Sequence, residues 1–217
     1  MKMIEVKRPL PGINIFSKSP AMLLFFASTA ALYFELVVIR YLASEIRVFA
    51  YLKNMPLIAS FFGIGLGMIL GRPTERLRRT WPILAALMFL LVANAWSLHL
   101  THVPMPTFDY WQFTFKTLPI SLVTLVYVFA VLYVLALIIG LFTVLGGFVG
   151  EQLVALPRLK AYGVNLFGSL VGVALFTFLS FLHTPPWVWL TVGFLAVSPF
   201  FMRDIRSQVI LFLVIVG

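Results

Sequence analysis

Five ionisable side chains, Glu35, Arg40, Glu45, Arg47 and Lys53, fall within the twenty residues ELVVIRYLASEIRVFAYLKN (35–54), which close on Asn54. The chain around them is 62% hydrophobic and only 11% charged, so these groups need a reason. Carboxylates beside guanidinium and ammonium groups can lock helices together by ion pairing, hold a cationic or protonatable ligand, or meet another subunit. Glu35 lies 14 residues into an apolar run that begins at residue 21. At ~1.5 Å per residue that is roughly 21 Å along a helix. A carboxylate at such depth costs ~2.5–3.5 kcal/mol near the bilayer centre on insertion scales. Glu35 is therefore expected to face the bundle interior with a partner or a proton. Arg40, five residues on, is rotated by about 140° at ~100° per residue, which denies the two an i,i+4 pairing. Lys53 and Asn94 are the candidate partners by depth. Arg40 and Arg47 share a face if the helix continues that far, and Arg40 is placed to snorkel to the interface. Residues 44–53 are too polar to span, and are expected to form an interfacial helix or a short re-entrant turn.

Other chemistry is sparse. His99 and His102 in HLTH stand at i,i+3, a metal-pair spacing, but only Asp109 lies nearby as a third ligand, and no metal site is expected. The chain has no cysteine, which excludes disulfides and thiolate chemistry. No Ser/His/Asp or paired-carboxylate constellation is apparent among the seven acidic residues, so neither a catalytic site nor a cofactor is assigned. GIGLGMILG places Gly63, Gly67 and Gly71 at four-residue spacing with Gly65 between. With no strand before it, this run fails as a phosphate loop and fits small-xxx-small helix packing. Gly168 and Gly172 repeat the spacing. Asn165 and Ser169, one turn apart, can hydrogen-bond a neighbouring helix or line a cavity. His183 ends an apolar run and is expected at the surface.

The elements that carry these residues read as membrane spans. Mean hydropathy is +1.05, and the charged fraction is less than half the ~25% of soluble domains. A ~30 Å hydrocarbon layer takes about 20 apolar residues per helix. The expected fold is an all-α polytopic transmembrane bundle: after a cytoplasmic segment, 1–20, come spans at 21–43, 55–71, 82–98, 118–150, 161–182 and 187–201. A truncated seventh run follows at 207–217, and it suggests a chain that continues, or a tail docked on a partner. Span three is followed by a wetter stretch, 99–117, whose Tyr110, Trp111 and Phe113 suit the interfacial aromatic belt. Span four is long enough to tilt, to kink near Gly140 or to protrude, and Pro185 and Pro186 mark the turn between spans five and six. The net charge of +9 comes from short basic clusters between apolar runs, a topology signal and not a nucleic-acid footprint. With the N-terminus inside, 12 Lys and Arg fall on the cytoplasmic side and 4 outside.

Two stretches together carry a family resemblance. ELVVIRYLASEIRVFAYLKNMPLIASFFGIGLG resembles the first two spans of bacterial membrane-fused spermidine synthase-like proteins, and AYGVNLFGSLVGVALFTFLSFLHTPPWVWL resembles a later pair. They cover under a third of the chain. The resemblance implies a bacterial cytoplasmic (inner) membrane location and a membrane region fused to a soluble aminopropyltransferase-like domain that holds the polyamine substrate and nucleotide-type cofactor. No strand–glycine–acidic unit of that domain occurs here, so no catalytic residue carries over. What remains is a non-catalytic membrane module, with lipid and either a fused domain or other membrane subunits as partners. An accessory subunit of a larger complex is the second expectation. A small-molecule transporter is the third, weakened by the lack of an inverted repeat.

Overall fold

A computed structural model describes residues 19–71, 75–97 and 120–201. Among the described residues every regular element is helical: α1 Pro20–Glu45, α2 Arg47–Tyr51, α3 Asn54–Leu70, α4 Glu75–Ala93, α5 Ile120–Val154, α6 Arg158–Phe181 and α7 Pro186–Phe201. Three are long and apolar enough to cross a membrane: α1, Leu125–Val154 of α5, and α6. Asn54–Leu70, Thr80–Ala93 and Pro186–Val197 are shorter apolar helices. His99, His102, Asp109, the aromatic-belt residues at 110–113, the N-terminal segment 1–18 and the run 207–217 lie outside the described residues.

Local chemistry sets the helix ends. Pro20 occupies the first turn of α1, where its missing N–H does no harm. α1 stops at Ile46, whose backbone is extended (φ −118°, ψ 108°). The helix therefore does not run on to Arg47, and the expectation of a shared Arg40–Arg47 helical face fails. The short α2 that follows is anchored by buried Phe49. α4 begins seven residues before the expected start at Pro82 and carries that proline inside it. At the eighth position, past the first turn, the proline leaves one i→i−4 backbone bond unmade. α5 passes Gly140 without interruption.

Two parallel helix pairs build the core. Gly63 meets Ile139 and Gly67 meets Thr143, the same step of four on both helices, so α3 and α5 run parallel. A Cβ on Gly63 would stand 2.7 Å from the Ile139 carbonyl oxygen, and one on Gly67 would enter the Thr143 backbone. α5 answers with Gly146 against Ile64 and Gly150 against Met68. These α5 glycines are the half of the contact that the sequence reading missed. Gly71 is the correction on the α3 side: at φ +73° with nothing within 4 Å of its Cβ position, it stops the helix and packs nothing. A left-handed φ is cheap only for glycine. α1 and α6 form the second pair. Gly168 lies against Phe25 and Gly172 against Thr29, again a step of four.

α1 is the central helix, packed on α6, α5 and α7, with 61% of its apolar window buried against 17% for α6. Phe34, Trp81 and Phe194 meet edge to face near its middle, with centroids 5.6–5.8 Å apart. Such geometry suits aromatic quadrupoles. Outward faces are apolar: Ile58, Phe61 and Phe62 on α3, Leu125 and Phe129 on α5, and Phe167, Leu170 and Phe178 on α6 are all exposed. A water-soluble monomer seldom shows apolar surface on that scale. Lipid accommodates it.

Candidate functional site

Three of the six buried polar side chains among the described residues, Ser28, Thr29 and Glu35, lie on α1. Ser28 Oγ donates to Asn165 Oδ1 at 2.7 Å, and Thr29 Oγ1 donates to the Gly168 carbonyl at 3.0 Å. The glycine makes the second bond possible, because its carbonyl is reachable only when the backbones approach closely. One turn further along α1, Tyr33 donates to the Trp189 carbonyl on α7 at 2.8 Å. Trp189 Nε1 donates in turn to Thr184 Oγ1, which donates to the Leu179 carbonyl. Asn165 thus serves as interhelical glue, as its position suggested. Its partner Ser28 was hidden, since a single serine in an apolar run gives no signal by itself.

The α6–α7 turn is held by the same chain of bonds. His183 N–H bonds to the Ser180 carbonyl and Thr184 N–H to the Leu179 carbonyl, which is a Schellman closure. His183 takes the left-handed position (φ 52°) that glycine usually fills, and it is exposed.

Glu35 behaves differently from all of these. It shares a face with Ser28, since seven residues make nearly two turns. It is 2% exposed, and neither carboxyl oxygen accepts a hydrogen bond from a described residue. The candidate partners do not reach it. Lys53 is exposed at the foot of α3, and exposed Asn94 donates to its own helix at the Leu90 carbonyl, 2.8 Å away. Arg40 is exposed, and Glu45 Oε1 accepts from the adjacent Ser44 hydroxyl at 3.5 Å. Arg47 sits half-buried on α2, and Asn54 is exposed at the start of α3. The charged stretch therefore divides. Glu35 belongs to the core, and the rest lie exposed or half-buried at the edge of the bundle.

Beside Glu35, Phe34 and Val38 line a small cavity of about 10 Å³ with Trp81, Phe89 and Leu145. Apolar gaps of this size stay dry. Among the described residues no three His, Asp or Glu side chains gather as a metal site. The arrangement can hold helices in register and keep one carboxyl out of water. The chain matches no family model, no curated protein and no solved structure.

Proposed function

We propose that the chain is a non-catalytic integral membrane module that anchors or accompanies a soluble domain, as the resemblance to spermidine synthase-like membrane regions implies. In this reading the helices make six full crossings, with the N-terminus on the cytoplasmic side of a bacterial inner membrane. The observation behind it is how the polar groups are used. Ser28, Thr29, Tyr33 and Asn165 are engaged in bonds between helices, and the outward faces are apolar. A packed bundle with lipid-facing sides is what an anchor requires. The peripheral α6, 17% buried, favours a second reading, an accessory subunit whose α6 face meets another membrane protein.

One preparation tests both. The native polypeptide is extracted from membranes, its intact mass is measured, and mild-detergent complexes are analysed for co-purifying proteins. An anchor gives a mass greater than this chain, or a stoichiometric soluble partner. An accessory subunit gives a stoichiometric membrane partner. Extraction of the protein by alkaline carbonate without detergent would sink both.

A further inference from the structure

Glu35 combines three properties that nothing in the anchoring role uses: depth in α1, near-complete burial, and two carboxyl oxygens without a hydrogen bond from any described residue. One turn away on either side lie Ala31 and Val38, both buried and apolar. The charged and titratable groups on the elements packed against α1 lie mostly at helix ends. Arg47 and Tyr51 on α2 and Lys53 before α3 are at one end; Glu151 on α5 and Arg158, Lys160 and Tyr162 on α6 are at the other. α4 carries Glu75, Arg76, Arg78 and Arg79 in its first turns, and α5 contributes Tyr127 and Tyr133. α3 carries no titratable residue after Lys53, and α7 none among its described residues.

A carboxylate without a partner in a low-dielectric interior takes up a proton in preference to staying charged. A metal cation needs several ligands at once, and among the described residues no group of three His, Asp or Glu gathers around Glu35. A proton needs one oxygen. We propose that Glu35 is an intramembrane proton-binding site: a carboxylic acid that holds its proton while α1 stays packed. This goes beyond the anchoring role and does not depend on it.

Such an acid has a characteristic reaction. It adds across a C=N bond of a carbodiimide: its proton passes to one nitrogen and its oxygen bonds the central carbon. Migration of the acyl group to nitrogen then leaves a stable N-acylurea, with no group released and no redox change. The test treats the full chain in lipid vesicles with dicyclohexylcarbodiimide and maps adducts by peptide mass spectrometry. Glu35 is expected to react several-fold faster than Glu45 or Glu151, with loss of that adduct in Glu35→Gln. Infrared spectroscopy supplies an independent reading that needs no reagent access. The carbonyl band of a protonated carboxyl is expected in the parent and absent in Glu35→Gln. An ionised Glu35 in the infrared spectrum overturns the proposal, as does protection of the adduct by sodium or potassium ions, which would mark a metal-cation site.

Discussion

At the scale of single residues, the interhelical bonds and the one left-handed histidine give measurable stakes. Ser28 and Asn165 are 2.7 Å apart across α1 and α6, and buried bonds of this kind in membranes couple by about 0.6 kcal/mol, with a ceiling near ~1.7. A double-mutant cycle of Ser28→Ala and Asn165→Ala, read by unfolding in mixed micelles, is expected to fall in that range. A coupling indistinguishable from zero would mean the bond contributes nothing to packing. His183 offers a change of the opposite sign. At φ 52° it occupies a position that costs an L-residue roughly 1–2 kcal/mol. His183→Gly should keep or raise the unfolding midpoint, and His183→Val should lower it. The depth of Glu35 was legible from its place in the run, and so was its failure to pair with Arg40. Its lack of a described partner was not, because depth along a helix says nothing about which side chains of other helices arrive there.

The helices themselves were mostly legible, and the errors share a cause. Hydropathy located α1, α3, α6 and α7 as helices to within a few residues, but of these only α1 and α6 have the length and hydropathy to cross a membrane. The span expected from residue 82 starts earlier, and α4 carries Pro82 inside it. Gly71 was grouped with Gly63 and Gly67 because four-residue spacing cannot tell a packing glycine from a stop. The distinction is backbone geometry, and it yields a graded prediction. Gly67→Leu would force α3 away from the Thr143 backbone, and overpacking of this kind costs ~1–3 kcal/mol. Gly65→Ala and Gly163→Ala, whose Cβ positions meet nothing within 4 Å, should leave unfolding nearly unchanged. Equal losses at Gly67 and Gly65 would show that the α3–α5 contact is not where the stability lies.

For the whole molecule, the absence of cysteine makes topology directly testable. Single variants Ser44→Cys and Lys160→Cys are both at exposed positions, near opposite ends of the parallel α1 and α6. An impermeant maleimide is expected to label Ser44→Cys from outside intact cells, and Lys160→Cys only in inverted vesicles. Labelling of both from one face would break the proposed arrangement of crossings. The parallel pairing also sets a schedule for how the protein is made. Ser28 meets Asn165 137 positions further along the chain, and synthesis proceeds at ≈ 5–20 residues per second, so roughly seven to twenty-seven seconds separate the two. Throughout that interval Ser28 and Thr29 of α1 lack the α6 groups they bond in the folded chain. A nascent chain released before α6 emerges carries an incomplete first helix, the kind of substrate that membrane quality-control proteases remove.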